Sequence, residues 1–212
     1  MNIPNPGAPG QVTDVRMTLD HDAPTLLLQC QILVTGSQVS DGIIVESTAL
    51  VWRAIFLEIQ RDPQFLIHFS RNSRAFENFI AGAYIKAGFD EVIITPQRGD
   101  RGRDVIATKH GFLSVRILDQ TKAYKPGHLV THDDVRAMVG VLNIDQNASK
   151  GLITTTSDFQ PGIASSPEFQ RFMPHRLELK NGAQLKAWLT EVAHVSGTDK
   201  YGNGAGQEIG GI

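Results

Sequence analysis

The stretch RGDRGRDVIATKHGFLSVRILDQTK, residues 98–122, decides the fold that we expect for this chain. Two short apolar runs rich in β-branched residues, 105–107 and 113–118, lie on either side of a Lys-His-Gly turn. Runs of this kind bounded by turn residues predict two adjacent β-strands. If the runs pair as antiparallel strands, the residues before the first run and after the second lie at the same end of a hairpin.

Three polar side chains then converge at that end. Asp104 directly precedes the first run, and side chains alternate along a strand, so Gln120 and Lys122 share one face after the second run. A carboxylate and an amide oxygen suit a hard cation such as Mg²⁺, and the backbone carbonyl of Thr121 is a further candidate ligand. The Lys122 ammonium cannot ligate a metal while charged, but it can stabilise a phosphate or orient a water. This constellation is suited to phosphodiester cleavage.

Four pieces of the sequence resemble one known family. Segment 102–107 (GRDVIA) contains Asp104, 120–122 (QTK) contains the amide and the lysine, 76–80 (FENFI) contains Glu77, and 150–157 reads KGLITTTS. In this order they resemble the Mrr-like restriction endonuclease catalytic domain of the PD-(D/E)xK nuclease superfamily, over about residues 70–193. The resemblance implies an α/β fold, a restriction-endonuclease-like mixed β-sheet flanked by helices.

The resemblance also implies an activity. We expect a Mg²⁺-dependent endodeoxyribonuclease, with Mn²⁺ as a substitute metal, that cleaves double-stranded DNA in restriction of foreign or modified DNA. The expected partner is therefore duplex DNA, methylated or not. Formation of a homodimer is an open question at this point. The catalytic set it implies is Asp104, Gln120, Lys122 and Glu77, with Glu77 ligating the metal directly or through water. The basic residues that would contact the DNA backbone are Arg101, Arg103 and Lys125.

Two departures from the family signature keep alternatives open. Arg103 stands where the superfamily name has proline, and Gln120 replaces the acid, which leaves the site with one less negative charge. The alternatives are a weak or inactive nuclease-fold module for DNA binding or assembly, and a nuclease for branched DNA or RNA. Glu77 has its own alternative, a solvated helix glutamate. Asp119 cannot replace Gln120, because a regular strand points it to the other face.

Composition sets further bounds. The net charge of −2 argues against a general basic coat for DNA, but residues 98–128 hold seven Lys or Arg against three acids. The single cysteine, Cys30, excludes an intrachain disulfide and a zinc cluster of cysteines. Residues 1–10 lack the features of a signal peptide, the apolar stretch 26–34 is too short for a membrane span, and no P-loop motif is present. We therefore expect a cytoplasmic protein that does not associate with a membrane and uses no nucleotide cofactor.

The chain divides into three expected parts. We expect residues 1–70 to form a small N-terminal α+β extension, residues 71–195 the nuclease domain, and residues 196–212 a Gly-rich flexible tail. The role of the extension stays open between DNA recognition, a dimer contact and a structural addition. In the extension, alternating apolar residues predict a hairpin of strands 15–19 and 26–34, followed by a strand at 43–45 and a helix from 49 to about 61. In the nuclease domain, the caps expected to start two helices are Asn72 or Ser73, and Thr131 with Asp134.

Overall fold

The computed structural model describes residues 33–47, 49–96 and 102–194. Several predictions fall outside these residues: those for the hairpin of residues 15–34 except its last two residues, for Cys30, for Arg101 and for the Gly-rich tail. No helix in the described ranges is long and apolar enough to cross a membrane.

One mixed sheet of seven strands organises the described part of the chain, and its strands lie side by side in sequence order. The first five strands pair antiparallel, whereas the last three pair parallel to one another. The predicted mixed sheet is therefore confirmed. The strands are β1 (Leu33–Val39), β2 (Gly42–Ser47), β3 (Glu91–Ile94), β4 (Val105–Lys109), β5 (Val115–Lys122), β6 (Lys150–Thr155) and β7 (Leu177–Lys180).

Helices cover both faces of this sheet. On one face, a cluster of buried apolar side chains joins Trp52, Phe79 and Leu189 to Val105 and Ala107 of β4. On the other face, a second cluster joins helix side chains to the alternate strand residues Ile106 and Leu118. The helices are α1 (Ala49–Arg61), α2 (Ser73–Lys86), α3 (His132–Ile144), α4 (Pro167–Gln170) and α5 (Gly182–His194), with a 3₁₀ helix at Phe65–Arg71.

The first cluster belongs to α1, α2 and α5, and the second belongs to α3 and α4. Helix α3 lies very close to β6. A Cβ atom on Gly151 would lie 2.7 Å from the Met138 sulfur, so any larger residue at this position would require Met138 to shift. The predicted capping box begins this helix, because the Thr131 hydroxyl accepts from the Asp134 backbone N–H while the Asp134 carboxylate accepts from the Thr131 backbone N–H. These contacts hold α3 against β6 and close its first turn.

The N-terminal hairpin shares the sheet of the nuclease domain. Strand β2 pairs with β3 through Ile43 and Ile94, so the sheet is continuous across the boundary expected at residue 70. The predicted strand at 43–45 is confirmed, but the prediction that the preceding strand ends at residue 34 is wrong. Strand β1 continues to Val39 because pairing with β2 supplies backbone hydrogen bonds to a polar segment with little intrinsic strand preference. The division into domains at residue 70 stays a prediction.

Candidate active site

The register of the β4–β5 hairpin places Asp104 beside the end of β5. Val105 pairs with Asp119, and the same register continued by one residue sets Asp104 opposite Gln120. The turn contains the predicted His110 and Gly111 but extends three residues farther, to residue 114, and this extension produces the alignment. Gly102, with a φ of +77°, supplies the left-handed turn that leads into Asp104.

The Asp104 carboxylate is tied to β5 by hydrogen bonds. Its Oδ2 atom accepts from the Thr121 backbone N–H at 2.7 Å and from the Thr121 hydroxyl at 3.2 Å. The Asp104 backbone N–H donates to the carbonyl of Asp119 at 2.9 Å. These bonds fix the carboxylate relative to the Gln-Thr-Lys segment. The metal contact predicted for the Thr121 carbonyl stays a prediction.

Gln120 carries an unsatisfied oxygen. Its Oε1 atom is shielded from solvent and has no hydrogen-bond partner within the part of the chain that the structure describes. A buried polar atom without a partner is destabilising, and in a native protein it commonly marks a missing ion, water or substrate. The Gln120 oxygen therefore fits a cation ligand at the position opposite Asp104.

Lys122 forms an ion pair that the sequence did not predict. Its Nζ atom lies 2.9 Å from Oδ1 of Asp134 in the first turn of α3, and both side chains are about four-fifths buried, at 20% and 19% exposure. Burial lowers the pKa of Lys122, but the hydrogen bond to Asp134 and the negative charges of Asp134 and Asp104 outweigh it, so the pKa is raised overall. Asp104 makes the smallest of these contributions to the raised pKa of Lys122.

Glu77 is buried, with 8% of its surface exposed, so the solvated alternative does not describe it. Arg74 donates from one guanidinium nitrogen to the Glu77 carboxylate at 2.6 Å and to the Thr95 carbonyl at 3.0 Å. The Thr95 hydroxyl in turn donates to the carbonyls of Arg103 and Asp104, at 2.7 and 3.2 Å. Glu77 is therefore connected to the Asp104 backbone through the Arg74 side chain and Thr95, whose backbone N–H also donates to the Asp104 carbonyl at 3.0 Å. Its contact with a metal stays a prediction.

Asp119 faces the opposite side of the sheet, as the alternation of side chains predicted. Its Oδ2 atom accepts from the hydroxyl of Tyr84 in α2 and from the hydroxyl of Thr154 in β6, both at 2.9 Å. Burial raises the pKa of Asp119 to about 8, although the two hydrogen bonds act to lower it. This carboxyl group belongs to the core beneath the site and not to the surface that carries Lys122.

The three basic residues expected at the DNA backbone differ in their surroundings. The Arg103 guanidinium is buried and bonds the carboxylates of Asp145 at 2.6 Å and Asp41 at 3.0 Å. A contact of Arg103 with DNA would require breaking both ion pairs. Lys125 is exposed in the loop that follows β5, whereas Arg101 lies outside the described residues.

The candidate ligands suit a cation that takes only some of its ligands from the protein. Over residues 33–47, 49–96 and 102–194, no three His, Cys, Asp or Glu side chains are grouped for a metal ion. Asp104 and Gln120 instead offer one carboxylate and one amide oxygen from facing positions. Mg²⁺ commonly keeps several waters and takes one or two protein carboxylates together with substrate phosphates. The residues present fit such a cation.

Two groups around the site were missed by sequence reasoning. Asp134 was identified only as a helix cap, and the Tyr84–Asp119–Thr154 contacts had no local signal. The signal for Asp134 was an acid at the third helix position soon after the Gln-x-Lys segment, on the element that leads from β5 to β6. Sequence spacing alone does not show whether an acid that caps a helix also pairs with a lysine.

Comparisons with known proteins give the family. A sequence profile of the Mrr catalytic domain, described as a restriction endonuclease, matches residues 70–189. The MspJI restriction endonuclease in complex with a 27-mer oligonucleotide is 17% identical, with a TM-score of 0.46, over 70% of this chain and 33% of that chain. The DNA modification-dependent restriction endonuclease AspBHI is also 17% identical, with a TM-score of 0.46, over 76% of this chain and 39% of that chain. This chain spans well under half of either protein, and no curated protein matches it.

The profile covers more than half of the 212 residues. It includes every described residue of the candidate site: Glu77, Asp104, Gln120, Lys122 and the neighbouring Asp134. The resemblance found in the sequence and the fold expected from it are both confirmed. The chain therefore belongs to the restriction endonuclease family, through a catalytic domain of the Mrr type.

Proposed function

We propose that this chain is a divalent-metal-dependent endonuclease that hydrolyses phosphodiester bonds of double-stranded DNA. One observation carries the proposal: Asp104 lies opposite the unsatisfied Gln120 oxygen, and the Lys122 ammonium is held on the same strand end. In-line displacement at phosphorus requires oxygen ligands for a metal ion, here a carboxylate and a neutral amide oxygen. It also requires a positively charged side chain held beside them. Membership in the restriction endonuclease family supports the same reaction.

Each residue of the candidate site has its own role in this reaction. Asp104 and Gln120 would hold Mg²⁺ or Mn²⁺, which when bound polarises the phosphate and lowers the pKa of a water. Lys122 donates a hydrogen bond to that water or to a phosphate oxygen that gains negative charge. Thr121 keeps the Asp104 carboxylate oriented through its N–H and hydroxyl groups. Glu77 supports the metal directly or through a water.

Contacts with the DNA backbone come from Arg101, which precedes β4 in the sequence, and from Lys125, in the loop that follows β5. Lys125 is exposed there, and Tyr124 and His128 pack together with their ring centroids 4.2 Å apart, which orders the loop beside the site. Contacts with phosphates give affinity without sequence information. Arg101 stays in this proposed set, whereas the buried ion pairs of Arg103 favour a structural role. The biological role that we propose is restriction of foreign or modified DNA.

Cleavage of plasmid DNA tests the proposal. Methylated and unmethylated plasmids are incubated with the full chain and Mg²⁺, Mn²⁺ or a chelator, and nicked and linear products are measured on a gel. We expect products with either metal and none with the chelator. Asp104→Ala and Lys122→Ala are each expected to abolish cleavage, and a folded variant with normal activity would remove that residue from the site. Branched DNA and RNA substrates in the same assay test the expected preference for duplex DNA.

A second candidate function is DNA binding without cleavage. The neutral Gln120 and the lack of a three-member acidic cluster in the described ranges favour it, because fewer negative charges bind a divalent cation more weakly. Binding of duplex DNA with no cleavage at any concentration of Mg²⁺ or Mn²⁺ would establish this function instead.

A further inference from the structure

Asp134 uses both oxygens of its carboxylate at once. Its Oδ2 atom accepts from the backbone N–H of Thr131 at 2.9 Å and from the Thr131 hydroxyl at 2.7 Å. Its Oδ1 atom lies 2.9 Å from the Lys122 ammonium. The helix cap thus holds the carboxylate in one orientation, and the carboxylate holds the ammonium.

This arrangement addresses a weakness of lysine as a catalytic group. The lysine side chain is a flexible four-carbon stem, and fixing it in one conformation opposes about 2 kcal/mol of rotamer entropy. Asp134 is rigid because α3 packs closely on β6 at Gly151 and because the capping box closes its first turn. Lys122 and Asp134 are therefore paired across two elements that are themselves fixed in the core.

We propose that Asp134 is a positioning residue of the nuclease site, which holds the Lys122 ammonium beside Asp104 and Gln120. The inference rests on the proposed nuclease function and adds a residue that acts only through Lys122. Both oxygens of Asp134 are engaged, one by the cap and the other by the lysine, so we expect Asp134 to act through Lys122 and not by contact with DNA or metal. Its removal should slow the chemical step and leave DNA affinity unchanged.

The neighbouring residue Asp133 offers a matched control. It lies in the same first turn of α3, its side chain is 89% exposed, and it pairs with Arg136. Asp133→Gln and Asp134→Gln each remove one negative charge from the same helix end, so their effects on the helix dipole and on the approach of DNA are similar. Gln and Glu both serve at the third position of a capping box, so Asp134→Gln and Asp134→Glu keep the cap.

The experiment measures single-turnover cleavage of duplex DNA with Mg²⁺, and DNA affinity by fluorescence anisotropy in chelator. Asp134→Gln is expected to slow cleavage by about tenfold to a hundredfold with unchanged affinity, as for other residues that orient a catalytic group. Asp133→Gln should match the parent chain, and Asp134→Glu should recover most of the rate because it keeps the charge. If thermal unfolding shows that Asp134→Gln is not folded, the isosteric Asp134→Asn replaces it with the same expected result.

The outcomes separate the two proposals. An active parent chain with equal cleavage rates for Asp133→Gln and a folded Asp134→Gln would overturn the positioning role alone. Equal slowing by Asp134→Gln and Asp134→Glu would also overturn it, because charge would then not matter. A parent chain that does not cleave with any metal would overturn the nuclease function and, with it, the role of Asp134.

Discussion

The Oδ2 atom of Asp104 accepts a hydrogen bond from the Thr121 backbone N–H at 2.7 Å, across the two central strands of the candidate site. Asp104→Asn preserves an acceptor for this N–H but removes the charge. We therefore expect the variant to unfold like the parent chain and to lose cleavage by a factor of about 10²–10³ or more. Single-turnover cleavage and urea unfolding measure the two effects. The exposed Asp133→Asn serves as control. A folded Asp104→Asn variant with near-normal cleavage would contradict the proposed mechanism.

Gln120→Glu should keep or raise activity. The substitution leaves the shape of the side chain unchanged and adds a negative charge opposite Asp104, where the Gln120 oxygen has no hydrogen-bond partner in the described ranges. Two carboxylates repel each other without a cation, so the variant should be less stable in chelator and should reach half-maximal cleavage at lower Mg²⁺. Titration of cleavage rate with Mg²⁺ checks this expectation. A folded but inactive variant would show that the neutral amide is required.

Glu77→Gln tests the membership of this buried glutamate in the site. The substitution weakens the 2.6 Å contact with Arg74, which also bonds the Thr95 carbonyl near Asp104. If the carboxylate supports a metal, cleavage by the variant should require more Mg²⁺ than cleavage by the parent chain. Glu91→Gln, at the far end of β3, is the control. Overlapping Mg²⁺ titrations of the Glu77 variant and the parent would remove Glu77 from the site.

Arg103→Met tests whether this arginine stabilises the fold or binds DNA. Its side chain is 10% exposed and pairs with Asp145, which is 15% exposed, and with Asp41 of the β1–β2 turn. Removing one partner of a buried ion pair destabilises a protein by about 3–5 kcal/mol, because a buried charge is left unpaired. Urea unfolding should show a loss at the lower end of this range, since Asp41 is partly exposed.

The control for Arg103→Met is Arg136→Met. Arg136 also binds two carboxylates, those of Asp133 and Glu168, but its side chain is 51% exposed. Exposed ion pairs contribute about 0–1 kcal/mol, so this variant should be close to the parent chain in stability. Unchanged stability of Arg103→Met with weaker DNA binding would instead assign Arg103 to the backbone contact that the sequence predicted.

Local patterns predicted the elements of this fold more fully than its contacts. The alternation of side chains placed Gln120 and Lys122 on one face and Asp119 on the other, and the spacing from Thr131 to Asp134 predicted the helix cap. The Lys122–Asp134 pair was not predictable, because it depends on how the loop after β5 returns α3 to the sheet. Partners distant in sequence, such as Arg103 and Asp41, 62 residues apart, likewise have no local signal.

Asp119 gives a prediction for stability against pH. The folded chain keeps the buried carboxyl group protonated up to about pH 8, because burial raises its pKa. In the unfolded chain an aspartate loses its proton near about pH 3.9. The folded state therefore binds more protons between these values, and the stability that Asp119 contributes falls as the pH rises. Linkage gives a slope of about −1.4 kcal/mol per pH unit within this window, with no further change above or below it.

Asp119→Asn removes this titration and retains an oxygen that can accept from the hydroxyls of Tyr84 and Thr154. The free energy of unfolding of the variant, minus that of the parent chain, should therefore rise with pH between about 4 and about 8 and then become constant. Urea unfolding in chelator at closely spaced pH values measures the difference. The exposed Asp133→Asn should show no comparable rise over the same range. A difference for Asp119→Asn that is independent of pH would mean that the buried carboxyl group is ionised in the folded chain.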